Sequence, residues 1–203
     1  MDYISKDDII NELFTIKRNR NSKLEDYKFL STIDSELLTQ EILKKALDQQ
    51  PLALQYIVNQ SEEICIYAVQ LNGMVLNHVK DKTPLICLEA VKNKGQALIY
   101  VENQTEFICL EAIKKDPFSL QCVDNQTTEI CMEAVRQNGL ALIHVKHKTP
   151  EICLEALLHG NKKNYELIMD YIPIVDKNFL TYKECKNHLR MMIQKRSIIM
   201  KEL

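Results

Sequence analysis

Apolar residues through the middle of this chain recur at fixed offsets, and the arrangement repeats every 22 residues with no insertion. Counted from the Thr or Ser that opens each copy, the starts are Thr39, Ser61, Thr83, Thr105, Thr127 and Thr149. The fourth position is Ile in all six copies, from Ile42 to Ile152. The eighth is Ala, from Ala46 to Ala156, and the ninth is Val, Leu or Ile. Offsets of four and five residues put these side chains on one face of a helix. After a break the apolar signal resumes, with Leu at the sixteenth position (Leu54, Leu76, Leu98, Leu120, Leu142) and Val or Ile at the nineteenth. About two helical turns fit before the next copy begins. Such a period predicts an all-α solenoid of short helix-turn-helix units.

Start and stop signals support two helices per copy. The opening hydroxyl can accept a hydrogen bond from a free N–H of the first turn. Pro84 and Pro150 follow it directly, where a missing N–H costs nothing. Glu41, Glu63, Glu129 and Glu151 place negative charge near the positive end of the helix dipole. At the break, Asn72-Gly73, Lys94-Gly95 and Asn138-Gly139 are expected to end the first helix with a glycine at positive φ. Pro51 and Pro117 cannot do this, so those two turns are expected to differ, with the proline opening the second helix. Helices this short are marginal alone, so stacking must stabilise them.

The repeats occupy residues 39–160, the sixth copy degrading after TPEICLEAL. Residues 1–38 do not match the unit and are expected to form two N-terminal capping helices, around Lys6–Ile16 and Ser22–Leu30. Residues 161–203 are expected to form basic C-terminal capping helices. An unbroken repeat favours one elongated body.

The recurring string T-x-E-I-C-x-x-A-V-x-x-N-G-x-A-L-x-x-V-x-x-Q resembles a helical repeat family of unknown function that is abundant in mimivirus-like giant viruses of amoebae. The fifth copy, TTEICMEAVRQNGLALIHVKHK, carries the motif most fully, and the first departs from it, with Leu43 in place of Cys and no Gly. The resemblance implies a helical array in a viral or amoebal setting and brings no catalytic residues.

Charge narrows the function. The three segments carry six basic against eight acidic residues, eleven against fifteen, and nine against five. A mildly acidic body argues against a long phosphate-binding groove, although nucleic-acid binding stays open as a second reading. The N-terminus lacks an apolar core of signal-peptide length, and no apolar run is long enough to span a membrane. A cytoplasmic, reducing setting is expected; the N-Q-S/T sequons at Asn59, Asn103 and Asn125 then read as accidents of the repeat.

Five of the seven cysteines hold one repeat position (Cys65, Cys87, Cys109, Cys131, Cys153). Neighbouring helices lie about 8–10 Å apart, beyond the ~7 Å that a disulfide spans, so the ladder reads as packing. His144 and His147 stand three apart with no third ligand of fixed position, and no metal or cofactor is expected. Glu89, Glu111 and Glu133 precede Lys92, Lys114 and Arg136 by three residues, a spacing that suits solvated ion pairs. With no nucleophile–base pair or phosphate-cradling loop, the chain reads as non-catalytic.

The best candidate surface is the second helix. Read as an α-helix, it places positions fourteen, eighteen and twenty-one on one face away from the core. The middle row holds Tyr56, His78, Tyr100, Cys122 and His144; beside it run Leu52, Met74, Gln96, Phe118 and Leu140, then Asn59, Asp81, Asn103, Asn125 and His147. Core positions hardly vary while this face mixes aromatic, apolar and amide groups, which suits capture of a protein partner. The same side chains would also serve for packing between copies. Lys183, Lys186, Arg190, Lys195 and Arg196 mark a basic tail suited to a cap or to contact with RNA or a partner. A structural or oligomeric virion component is a third reading. The invariant Ala generates a test: Ala112→Leu should overpack the stack and cost about 1–3 kcal/mol. An unchanged melting temperature would mean that this face is not buried.

Overall fold

The computed structural model describes residues 4–19 and 22–160, with Asn164, Leu167, Ile168 and Tyr171 beyond them. Every regular element among these residues is helical. The N-terminal cap consists of α1 (Lys6–Arg18) and a 3-10 helix, η1 (Leu24–Ser31). Each full copy then supplies one α-helix and one 3-10 helix. They are α2 (Gln40–Gln49) with η2 (Pro51–Tyr56), α3 (Glu62–Leu71) with η3 (Gly73–His78), and α4 (Pro84–Asn93) with η4 (Gly95–Tyr100). Next come α5 (Glu106–Lys115) with η5 (Pro117–Cys122), α6 (Thr128–Gln137) with η6 (Gly139–His144), and finally α7 (Pro150–His159). The expected C-terminal capping helices lie outside the described residues, except that Ile168 is fully buried against Gly160.

Packing divides the chain into two compact units, Met1–Gln104 and Thr105–Leu203. Within each, successive α-helices pack on one another and successive 3-10 helices do likewise, so each unit is an α-solenoid of stacked helix-turn-helix copies. In the first unit, α1 and η1 cover α2 and η2. Their shared core joins Ile9, Leu13, Tyr27 and Leu30 to Ile42 and Ala46.

The start signals work as the residues suggest. Ser61, Thr83, Thr105, Thr127 and Thr149 each accept from the backbone N–H of the Ile three residues on, at 3.3–3.4 Å. Thr39 is the exception and makes no such bond. Two of these hydroxyls also link copies: Thr83 donates to Glu62 at 2.8 Å and Thr127 to Glu106 at 3.1 Å. The repeated Ile, Cys, Ala and ninth-position residues are buried from the second copy to the sixth. Ser119 stands where three other copies have Ala; it is fully buried and its hydroxyl has no partner.

The breaks depart from expectation in two ways. No described residue has a positive φ, so the glycines are not left-handed caps. The turn is made instead by the residue before them: Gln50, Asn72, Lys94, Asp116 and Asn138 all take extended φ between −142° and −152°. Because that geometry suits any residue, Pro51 and Pro117 occupy the same place as the glycines, and their turns do not differ in kind. What glycine supplies is room. A Cβ on Gly73 would lie 2.4 Å from the Ala90 carbonyl oxygen of the next copy, and one on Gly139 would lie 2.1 Å from that of Ala156. Accordingly α3 packs on α4, and α6 on α7, more extensively than α2 on α3 or α5 on α6, whose breaks carry proline.

Where the break is Pro51 or Pro117, a glutamine ties the copies together. Gln126 donates from Nε2 to the carbonyls of Leu120 and His144, both at 2.9 Å, and its Oε1 accepts from the Lys146 N–H at 2.8 Å. Gln60 makes the same three bonds, to Leu54, His78 and Lys80. One amide thus satisfies backbone groups of two successive copies, groups that are costly to leave unpaired. Gln126→Leu should lower the stability of the chain to urea by about 2 kcal/mol or more. Gln121→Leu, at an exposed position of the same copy, should leave the transition in place.

Candidate interaction surface

The geometry of the second helix differs from the expected α-helix, and this rearranges the candidate face. A 3-10 helix advances 120° per residue, so side chains three apart eclipse. Positions sixteen and nineteen therefore share one inward row, and both are buried in every copy from Leu54 and Ile57 to Leu142 and Val145. Positions fourteen and eighteen, which an α-helix would align, stand about a third of a turn apart on either flank of that row. Position twenty-one lies past the helix end, in the link to the next copy.

Burial follows this placement. Leu52, Met74, Gln96, Phe118 and Leu140 are half-buried, as are Tyr56, His78, Tyr100, Cys122 and His144. Asn59, Asp81, Asn103, Asn125 and His147 are exposed. The two half-buried rows meet between the fourth and fifth copies. Phe118, at position fourteen, packs edge-to-face on His144, at position eighteen of the next copy, with ring centroids 5.8 Å apart and planes at 89°. Tyr56 packs against the core of the N-terminal cap. Phe118, His144 and Tyr56 thus each have one packed side, and all ten side chains of the two rows keep part of their surface open.

Titration behaviour matches. Burial lowers the His144 pKa below its ordinary 6.5, with Asp116 opposing and Lys148 adding to the shift. Burial likewise raises the Cys122 thiol, with Asp116 adding to it. In the ladder, Cys65 and Cys109 are pushed up to about 11, chiefly by burial. Cys65 and Cys131 donate weakly to Gln60 and Gln126, each at 3.8 Å. These thiols are packing groups, held in the form that is neither nucleophile nor ligand. His147 does not join His144 in a ligand set, and among the described residues no group of His, Cys, Asp or Glu could hold a metal. Nor is any helix among them long and apolar enough to cross a membrane.

The Glu/Lys stripe forms only in part. Lys92 meets Glu89 at 3.2 Å and Lys114 meets Glu111 at 2.7 Å, but Arg136 reaches on to Glu155 of the next copy, at 2.8 Å. The tenth residue can bond the seventh of its own copy or of the following one, and Gln70 also takes the second course, to Glu89. These pairs are exposed on at least one side and contribute little stability each. The basic tail, Lys183, Lys186, Arg190, Lys195 and Arg196, lies outside the described residues.

Two sets of residues escaped the sequence reading. Gln60, Gln104 and Gln126 recur as the last residue of their copies, and the motif recorded that position without a role for it. Lys80 and Lys146 look like surface charges, yet their ammonium groups bond carbonyls of the preceding copy, at Val58 and at Val123 and Asp124.

His144 supplies the pH prediction. With the folded pKa depressed, the unfolded chain binds the proton more readily, so this residue's contribution is intact above pH 6.5 and is lost as pH falls through the folded pKa. His144→Phe should flatten that part of the pH dependence, as read from urea transitions at pH 5 and pH 7.5. An equal loss in both proteins would remove His144 as the cause.

Residues 106–148, spanning the fourth and fifth copies, match the family model described as Domain of unknown function (DUF4116). The chain matches no curated protein and no solved structure.

Proposed function

We propose that this chain is a non-catalytic repeat scaffold that holds a protein partner along the flanks of its 3-10 helices. One observation carries the reading: the core positions repeat almost unchanged, while the half-buried rows at positions fourteen and eighteen differ from copy to copy. Packing alone would favour the same side chain each time, as it does at the Ile, Ala and Leu positions. Aromatic and His side chains already packed on one side, such as Tyr56, Phe118 and His144, lose little rotamer freedom on contact, which favours recognition. The exposed amides of Asn59, Asn103 and Asn125 add hydrogen-bonding groups beside those rows. The setting implied by the repeat resemblance, a giant virus acting in the cytoplasm of its amoebal host, belongs to the same proposal.

The test is an affinity capture with mass spectrometry, comparing the wild-type chain with a Tyr56→Ala, His78→Ala, Tyr100→Ala, His144→Ala variant of confirmed helicity. A specific protein that the variant loses, and that survives moderate salt, is the expected result. Retention of every partner by the folded variant would limit the rows to packing. Captured RNA whose binding falls steeply with salt would move the function to nucleic acid.

A further inference from the structure

The α-helices of the second unit carry an apolar stripe that their stacking leaves open. The sixth position holds Leu110, Met132 and Leu154, each half-buried, on α5, α6 and α7, which pack in that order. Phe107 extends the stripe along α5, three residues before Leu110, and is 59% exposed. It stands at the third position, where four other copies have Glu, so stacking does not require an apolar residue there. An open stripe of this kind is a cost to the free chain that an apolar contact would recover.

The first copy shows what this place in the array accepts. There the sixth position is Lys44. Its ammonium pairs at 2.8 Å with Glu63, at the third position of the next copy, and lies 5.3 Å from the centre of the Tyr67 ring, at the seventh. Pro51 and Pro117 make the first and fourth copies the same kind of junction. The same register sets Glu129 beside Leu110 and, one copy on, Glu151 beside Met132. Both glutamates are exposed, and neither has an ion-pair partner among the described residues. Leu and Met stand where the lysine would, and the carboxylates remain.

Charge selects the kind of occupant. With histidines neutral, α5–α7 bear six carboxylates (Glu106, Glu111, Glu129, Glu133, Glu151, Glu155) against three cations (Lys114, Lys115, Arg136). Between the helices Asp116 and Asp124 are matched by Lys146 and Lys148, so residues 105–160 carry −3 and the excess lies on the helices. Glu111 is paired with Lys114 and Glu155 with Arg136. The Thr127 hydroxyl on Glu106 and the Gln137 amide on Glu133 leave those charges in place. The positive helix ends offset only part of a charge each, and Glu63, at such an end, still holds Lys44.

An occupant therefore needs an apolar side with cations beside it. The open carboxylates recur once per copy, and packed helices stand about 8–10 Å apart. On a helix, residues seven apart share a face and lie about 10.5 Å apart. A strand covers that distance in about three residues, and the two end side chains then point to opposite faces.

We propose that the outward face of α5–α7 docks a basic amphipathic helix of a partner protein, its apolar stripe on Phe107, Leu110 and Met132 and its lysines or arginines, seven apart, on Glu129 and Glu151. The proposal is independent of the partner-binding reading, because it uses none of the residues of the 3-10 rows.

The test titrates the full-length chain with a fluorescent peptide of about 18 residues built from Leu, Lys and Ala, with Leu along one helical face and Lys beside it, long enough to cross the three helices. A scrambled peptide of the same composition, and the amphipathic peptide with Glu in place of Lys, are the controls. The basic amphipathic peptide is expected to bind about tenfold or more tightly than either. Glu129→Gln with Glu151→Gln should remove most of that advantage. Glu12→Gln with Glu36→Gln, the same change of net charge at exposed positions among residues 1–38, should keep it. Leu110→Lys with Met132→Lys, which copies the Lys44 arrangement, should abolish binding without lowering the thermal transition. Equal binding of the scrambled peptide, or an equal loss in the two glutamine pairs, would reduce the effect to bulk charge and overturn the proposal, as would the absence of saturable binding. Self-association that Glu129→Gln with Glu151→Gln abolishes would give the face to a second copy. Peptide binding that emerges only when Lys183, Lys186 and Arg190 are changed to Gln would give it to the chain's own tail. Either result overturns the assignment to a partner.

Discussion

How closely the backbone at each break can approach the first helix of the following copy governs the rest of this architecture. At Gly73 and Gly139 the two copies meet backbone to carbonyl, at a separation that no side chain would permit. The invariant Ala at the eighth position is the other half of the same contact. It removes bulk where the helices converge, and its carbonyl is the atom the glycine faces. Hydrophobic burial drives the stacking, but this steric limit fixes the spacing at which it happens.

Break and tie are paired in the first, second, fourth and fifth copies, while the third carries both Gly95 and Gln104, whose amide bonds the Leu98 carbonyl at 3.2 Å. Pro51 and Pro117, which cannot come so close, belong to copies that end in Gln60 and Gln126, and those glutamines bridge the junction with three hydrogen bonds. Gly73 and Gly139 belong to copies that end in Lys82 and Lys148, which make no such bridge. At the first of these junctions Asn93 bonds both the Gly73 N–H and the Gln70 carbonyl instead. The first copy therefore resembles the fourth and the second the fifth, while the third and sixth share a Thr-Pro opening. The boundary between the compact units falls at Thr105, where this series of three begins again.

Much of this was legible in the residues, and the parts that were not share a cause. Caps, the Ile/Ala face and the inward Leu are encoded by chemistry that recurs at one offset, so six copies reinforce one another. The 3-10 geometry of the second helix was hidden because six residues are too few to separate a period of 3.0 from one of 3.6. That same ambiguity joined Tyr56 and Leu52, with their counterparts, into a single face when they flank the inward row on two sides. Asn-Gly reads locally as a left-handed cap, and only the neighbouring copy shows that Gly73 is needed for space. The glutamine bridge depends on groups brought together across copies, which no single window of sequence contains.

The three bonds of Gln60 have a consequence for how such a gene can change. They reach six residues back and eighteen and twenty residues forward, so their register spans one whole copy. A single inserted codon anywhere in that span would slide the Ile/Ala face off its neighbour and pull the amide away from its carbonyls. Point substitutions are tolerated on the flanks, but length can evolve only by the gain or loss of complete copies through recombination between near-identical stretches. A surviving recombinant must also keep each proline with its glutamine and each glycine with its Ala neighbour, which makes the series of three, rather than the single copy, the natural unit of inheritance.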